Sequence, residues 1–371
     1  MINAYPTISQ VENCLSSSTS QDAPLLSIVV PNYNHARFLP ERFASILAQS
    51  IQDFELIVLD DSSTDDSVAV IRALLAEIPH KLIINQSNSG SPCSQWLRGI
   101  QEARGRYIWI AESDDSCSAE FLETMVDLLD QGASLAYCRS HAIDSHGQGI
   151  ESALYWPDHF DPVQWKSGFT MASHEFCQRY LVNGNVIPNA SSVLFQRKQA
   201  LDCLSIKPLL NHLLFTGDWI FWSHYLANDN AHVSFSARED SWFRHHSSST
   251  RAKSGSHAQE SHHIKEYCNA INLISDYAIF KPHLTWAARA LNPGWDWIYL
   301  EYIYRCNPTR LQTLVADGLD GPVAELLPMR LLCSSELRRH LFPTLYKWTY
   351  SACHWLRTTK ARVLHLARNI F

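Results

Sequence analysis

No CxxC pair and no regular spacing links the ten cysteines. A disulfide framework or a zinc knuckle is therefore not indicated, and free thiols in a reducing cytoplasm are the expectation. No run of about 18 uninterrupted apolar residues occurs, which leaves no candidate transmembrane span. The opening stretch, MINAYPTISQVENCLSSSTSQDAP, lacks the basic and apolar regions of a signal peptide. Its Ser, Thr, Gln and Asn content predicts a disordered leader over residues 1–24. Positive charge is also short: the net charge of −7 excludes nucleic-acid binding through a globally basic surface.

What remains is ordinary globular material, 46% hydrophobic and 18% charged, long enough for one large domain with an appendage or for two domains. From residue 25 the pattern alternates. Short continuous apolar runs at 25–31, 54–61, 81–86 and 106–112 read as strands buried on both faces. Stretches of helical periodicity separate them at 36–50, 64–78 and 91–104, another follows at 118–132, and 134–144 reads as a fifth strand. Such alternation predicts a parallel, doubly wound α/β sheet flanked by helices. Beyond residue 150 the pattern loosens. Residues 189–201 read as a strand entering a helix, 216–228 as a helix and 232–240 as an edge strand. Residues 242–263 form a Ser/His-rich loop, and a mainly helical C-terminal extension fills the rest.

In such sheets ligands bind beyond the carboxyl ends of the strands. There the sequence places PNYNH, DDSSTDDS, NQSNSG and ESDDS. The last is the most demanding: Glu112, Asp114 and Asp115 put three carboxylates within four residues. Like charges that close raise one another's pKa, so something positive must offset them. A divalent cation with hard oxygen ligands, Mg²⁺ or Mn²⁺ bridging to a substrate diphosphate, meets that need. Helix capping by Ser113 or Asp114 is the competing explanation for any one strand end, but four such ends together favour a binding site.

Three blocks in order, SIVVPNYNHARFL, FELIVLDDSSTDDS and GIQEARGRYIWIAESDD, resemble the nucleotide-sugar half of family 2 glycosyltransferases of the bacterial surface-polysaccharide type. These are inverting enzymes with the GT-A fold. The resemblance implies a catalytic domain over 25–250, with a nucleotide-sugar half at 25–145 and an acceptor half at 146–250. Pro31, Asn32, Tyr33 and Asn34 would receive the nucleoside, Tyr33 as a stacking ring. Asp60 and Asp61 match the acidic pair after the second strand, Asp61 being favoured for base or ribose. Asn88 and Gly90 match the third-strand turn. Glu112 and Ser113 open the DxD-like motif on the donor side, Asp114 touches the metal, and Asp115 supports it.

TGDWIFW resembles the segment bearing the family's general base, which makes Asp218 the residue that deprotonates the acceptor hydroxyl. WFRHHSSST resembles the closing Arg-x-His segment, so that Arg244 would bind diphosphate and His246 would complete the metal shell. His245 is the spare. Three departures stand out. Glu112 replaces the usual Asp. Trp96-Leu97 replaces a frequent Arg-Asn, leaving a phosphate contact to Arg98 or Arg104. Gly217 replaces an acidic neighbour of the base.

From Arg330 on, eight Lys/Arg face Glu336 alone. The tail 330–371 thus carries +7 and residues 1–329 carry −14. Aromatic and aliphatic residues among those cations suit a helix on an anionic membrane surface, and packing on the acidic half explains them equally well. The expected protein is cytoplasmic, with an inner-membrane peripheral location if the tail binds lipid. Its expected donor is a nucleoside-diphosphate sugar, UDP-linked by preference, and its acceptor a glycan or lipid-linked glycan. Two alternatives stay open: a non-catalytic nucleotide-sugar scaffold, and a sugar-phosphate nucleotidyltransferase. PNYNHARFL lacks the glycine-rich phosphate loop that the latter would carry.

Overall fold

The structure, a computed structural model, describes residues 7–14, 23–151, 155–211, 213–227 and 231–247, together with Glu266, Asn269, Ala270, Leu273, Ile274 and 276–280. The chain divides into two compact units, 1–284 and 285–371, and every described residue belongs to the first. The basic tail, His257, His262 and His263 lie outside the described residues.

The strands are β1 Ile8–Cys14, β2 Leu26–Asn32, β3 Phe54–Asp60, β4 His80–Asn85, β5 Tyr107–Ile110, β6 Ser116–Cys117, β7 Leu135–Ile143, β8 Phe169–Ala172, β9 Val193–Gln196 and β10 His232–Arg244. The α-helices are α1 Leu39–Leu47, α2 Ser67–Leu74, α3 Pro92–Glu102, α4 Phe121–Asp130, α5 Ser173–Arg179, α6 Arg197–Asp202, α7 Lys207–Leu210 and α8 Gly217–Leu226. One sheet runs β1-β4-β3-β2-β5-β9-β7-β10-β6, with β8 paired to β10.

The aliphatic run of β2 is buried along its whole length because helices cover both faces. Leu26, Ile28 and Val30 pack with Leu39, Phe43 and Ile46 of α1 and with Phe121 and Met125 of α4. On the other face α3 lies so close that a Cβ on Gly99 would sit 2.2 Å from a Val29 methyl.

The expected parallel pairing holds for β4-β3-β2-β5, whereas the strand expected at the edge over 232–240 lies inside the sheet, where β10 pairs parallel with β7 and antiparallel with β6 and β8. Between these groups the sheet is mixed, a correction to the simple alternation. β9 inserts antiparallel between β5 and β7, so the fifth apolar run does not pair with the fourth. The expected disordered leader is corrected over Ile8–Cys14, which pairs antiparallel with β4 at the sheet edge. Edge pairing uses main-chain groups that any composition supplies, and Arg72 of α2 anchors the strand through Glu12.

Candidate active site

The strand ends β2, β3 and β5, the β4–α3 turn, the start of α8 and the end of β10 enclose one cavity of about 800 Å³. Nearly all sequence-proposed residues meet there, and each wall has its own local cause.

Where the ends of β2 and β3 border the cavity, Asp60 stands behind the wall. Its carboxylate accepts Asn32 Nδ2 at 2.8 Å and the Ser63 amide at 2.9 Å, and so holds the turn. Asn34 and Ser62 take left-handed backbone conformations, φ 56° and 63°, a strain that side-chain bonds sustain at functional loops. Asn34 Oδ1 accepts the Thr64 amide at 2.7 Å.

Asp61 does line the cavity. It accepts Asn85 Nδ2 at 2.7 Å, Gln95 Nε2 at 2.8 Å and Ser89 Oγ at 2.7 Å. Burial pushes its pKa up, against those hydrogen bonds. Asn88 Oδ1 accepts the Gly90 amide at 2.7 Å, and Gly90 has φ 76°, the region that favours glycine. Tyr33 is 42% exposed on the cavity wall, which sets aside its reading as an ordinary buried tyrosine. Asn32 Oδ1 is buried and has no hydrogen-bond partner among the described residues.

The three carboxylates after β5 have separate environments. Positive charge does sit beside them, and it belongs to Arg42. This arginine is fully buried on α1, donates Nε to Glu112 O at 2.9 Å, and stacks 5.3 Å from the Trp109 ring centroid. Its charge opposes the rise in pKa of both Glu112 and Asp115. Sequence reasoning missed it, although a signal exists: positions 39, 42, 43 and 46 share one helical face, and a lone arginine on that apolar stripe is out of place unless paired.

Glu112 accepts Trp96 Nε1 at 2.7 Å, and burial, aided by the charge on Asp114, pushes it up to about 8. Asp115 accepts the Arg244 amide at 2.9 Å, and burial raises it too. Asp114 is the exception. Burial works against its charge, but the His246 hydrogen bond and the neighbouring His35 and His246 hold it below the usual carboxylate range. Its Oδ2 lies 2.9 Å from His246 Nε2. His35, from the loop after β2, comes into the same group: ligand atoms of His35, Asp114 and His246 all lie within 4.8 Å of one another. Ser113 Oγ is 2.9 Å from His35 Nδ1.

Asp115, expected beside Asp114 at the metal, is not part of that group, because its carboxylate is turned to the β10 backbone. Arg244, expected on the diphosphate, borders the cavity but its side chain is 1% exposed. It donates Nε to Asp114 O at 2.6 Å and Nη1 to Asp144 O at 3.1 Å, and pairs with Glu41. Those bonds tie the acidic loop to α1 and β7, so the arginine shapes the site. Arg98 and Arg104 do not supply the contact either. They pair with Glu102 and Glu55, away from the cavity. His245 is exposed and does line it.

Opposite stands Asp218, in the first turn of α8. Its Oδ2 accepts Asn185 Nδ2 at 2.7 Å and its Oδ1 the Trp219 amide at 2.7 Å. Gly217 has a steric reason: a Cβ there would lie 2.4 Å from Cys93 Sγ. The turn before α8 is held by Glu266, a buried carboxylate. It accepts the amides of Leu214 at 2.8 Å, Phe215 at 2.7 Å and Thr216 at 3.2 Å.

A sheet whose strand ends bring acids, amides and an aromatic ring to one cavity has the arrangement of the GT-A fold. Residues 27–183 match the profile of Glycosyl transferase family 2. Over 145 residues the chain is 32% identical to a chondroitin synthase of Escherichia coli, a stretch covering 38% of this chain and 21% of that protein. Over 101 residues it is 37% identical to glycosyltransferase GlyG of Streptococcus pneumoniae serotype 4, 27% of this chain and 34% of that one. The chain thus spans about a third or less of these curated relatives. S. aureus TarS in complex with UDP-GlcNAc superposes with a TM-score of 0.59 at 14% identity, covering 84% of this chain and 83% of the other, which establishes the shared fold. Residues 27–183 therefore resemble family 2 glycosyltransferases, within a fold shared over most of the chain. Asp218, Arg244, His246 and Glu266 lie beyond the matched segment.

Proposed function

We propose that this chain is a metal-dependent inverting glycosyltransferase. It moves a sugar from a nucleoside-diphosphate sugar to a hydroxyl of a glycan or lipid-linked glycan, in the assembly of a cell-surface polysaccharide. The observation that carries the reading is the placement of Asp114 and Asp218 on one cavity with Asn32, Tyr33 and Asp61, with the buried His246 bonded to Asp114 behind the lining. UDP is the preferred nucleotide, a choice supported by the UDP-GlcNAc complex of the TarS neighbour.

An oxygen-and-imidazole donor set around a carboxylate held below its usual range fits a divalent cation, with Asp114 and His246 to hold it. When bound, that ion neutralises charge developing on the leaving diphosphate. The chain's own groups do the rest. Tyr33 offers a face to the base, and Asp61 and the unpartnered Asn32 Oδ1 offer acceptors to base or ribose N–H and O–H groups. Asp218, oriented by Asn185, takes the proton from the acceptor hydroxyl as its oxygen attacks the anomeric carbon. The bond from that carbon to the diphosphate oxygen breaks on the opposite face, and the nucleoside diphosphate leaves with the electron pair.

No helix among the described residues is long and apolar enough to cross a membrane. Our placement is the cytoplasmic face of the plasma membrane, with residues 330–371 as the contact to anionic lipid. Loss of vesicle binding on deleting them is the expected result.

The deciding experiment is calorimetric titration of UDP, GDP, dTDP and CDP into the purified protein, with Mn²⁺ and with EDTA. One nucleotide should bind, only with the metal, and Asp114→Ala should lose it while keeping its fold. Binding that ignores EDTA overturns metal dependence. Binding without turnover on any acceptor favours the scaffold reading.

A further inference from the structure

His35 follows the left-handed Asn34, whose φ of 56° turns the chain sharply at the end of β2. The turn brings the imidazole across to the acidic loop. There it meets Ser113 Oγ at 2.9 Å from Nδ1 and the His246 ring edge-on at 5.3 Å between centroids. Phe38 brackets both rings, 5.7 Å from His35 and 4.7 Å from His246. Two imidazoles are thus fixed beside the carboxylate of Asp114, and ligand atoms of the three residues lie within 4.8 Å of one another. Among the described residues no other group of three or more His, Cys, Asp or Glu side chains comes together in this way.

We propose that His35 is a metal ligand, and that with Asp114 and His246 it forms a two-imidazole, one-carboxylate set that selects a first-row divalent transition ion over Mg²⁺. This rests on the metal-dependent reading above and deepens it. Three features support the assignment. The first is support from behind: His35 Nδ1 lies 2.9 Å from Ser113 Oγ, and an imidazole that donates Nδ1–H to that oxygen keeps its lone pair on Nε2, the usual arrangement by which an outer hydrogen bond fixes the tautomer of a ligating histidine.

The second is spacing. His246 Nε2 and Asp114 Oδ2 are 2.9 Å apart, the separation of adjacent ligands around an octahedral ion with bonds of about 2.1 Å. The third is the partition of the acids. Asp115 Oδ1 accepts the Arg244 amide while its Oδ2 has no partner among the described residues, Glu112 Oε1 accepts the Trp96 indole, and neither acid falls in the group of His35, Asp114 and His246. The oxygen-rich shell that Mg²⁺ demands is therefore not assembled here, whereas imidazole nitrogen suits the transition ions. Affinity should rise from Mn²⁺ to Co²⁺ along the usual order for such ligands.

The test is electron paramagnetic resonance of Mn²⁺ titrated into the full chain, without nucleotide, for the wild type and for His35→Ala, His35→Gln and Asp114→Ala. Mg²⁺ and Co²⁺ serve as competitors. Thermal melts confirm that each variant folds, and His35→Gln keeps a side chain that can bond Ser113 while lacking the imidazole. The wild type should bind Mn²⁺ with spin-echo modulation from two imidazole nitrogens. Both His35 variants should bind at least tenfold more weakly and show one. Millimolar Mg²⁺ should fail to displace Mn²⁺, and Co²⁺ should displace it readily. Mn²⁺ uptake abolished by Asp114→Ala yet unchanged in both His35 variants overturns this proposal alone. No uptake by the wild type overturns it together with the metal-dependent reading.

Discussion

Trp96 donates its indole N–H to Glu112 at 2.7 Å, and these are two of the three positions at which the chain departs from the pattern it resembles. The departures answer each other. A tryptophan is bulkier, shorter in reach and neutral where an arginine is frequent, and a glutamate is one methylene longer where an aspartate is usual. Burial, aided by the charge on Asp114, pushes Glu112 up to about 8 despite the Trp96 bond, since a neutral donor offsets a full negative charge less than a guanidinium does. The pair is therefore a hydrogen-bonded part of the cavity wall.

Trp96→Phe keeps the ring and deletes the donor. It should cost roughly 1–3 kcal/mol, the usual penalty for leaving a buried acceptor unpaired. Glu112→Gln, whose amide oxygen still accepts, should cost less. In a double-mutant cycle of Trp96→Phe with Glu112→Leu, which removes the acceptor, read by urea unfolding, the two should couple by at least about 0.5 kcal/mol. Strict additivity would mean the hydrogen bond contributes nothing.

Gly217 is held to glycine by Cys93. Gly217→Ala drives its Cβ to 2.4 Å from Sγ, whereas the Cys93 Cβ is 3.6 Å away, an ordinary contact. Gly217→Ala should lower the melting temperature, by about 1–3 kcal/mol of overpacking, and adding Cys93→Ala should restore most of it. No recovery in the double variant would place the constraint elsewhere.

Asp218→Asn should leave nucleotide and metal titrations unchanged while transfer falls by about 10²–10⁴, the range for losing a general base. Asn185→Ala, which frees the carboxylate to reorient, should reduce turnover less and spare donor affinity. Normal turnover in Asp218→Asn would remove the base assignment.

His224 on α8 bonds through Nδ1 to the Tyr277 hydroxyl at 2.6 Å, and burial lowers its pKa. A histidine depressed in the fold contributes stability that is present above its unfolded value of about 6.5 and fades as pH falls below it. Melting temperature should therefore decline from pH 7 toward pH 5, and His224→Gln should flatten that slope. An unchanged slope would assign the acid sensitivity to other groups.

The parts of the site legible in the sequence were those set by strand ends. A buried strand must stop where its apolar run stops, and the polar clusters at 31–34, 60–61, 88–90 and 112–115 marked the cavity edge directly. Asp218 was legible because its helix start was. Side-chain direction was not. Asp61 and Asp60 are adjacent, yet one faces the cavity and the other holds Asn32 from behind. Arg244 carried the right charge at the right place but turns inward to Glu41. His35 looked like any polar residue before a helix, since only the turn at Asn34 brings it to Asp114. Strand β9 was read as a strand, but nothing in four apolar residues tells a chain to insert antiparallel between two parallel neighbours.

Glu266 grips three consecutive amides just ahead of α8, from a position well past the segment that matches the family. The nucleoside wall is assembled wholly within that segment, but the opposite wall depends on a clasp supplied from outside it. On the proposed reading, donor recognition would lie in the matched segment and acceptor recognition would depend on residues beyond it, so likeness over 27–183 alone says little of what accepts the sugar.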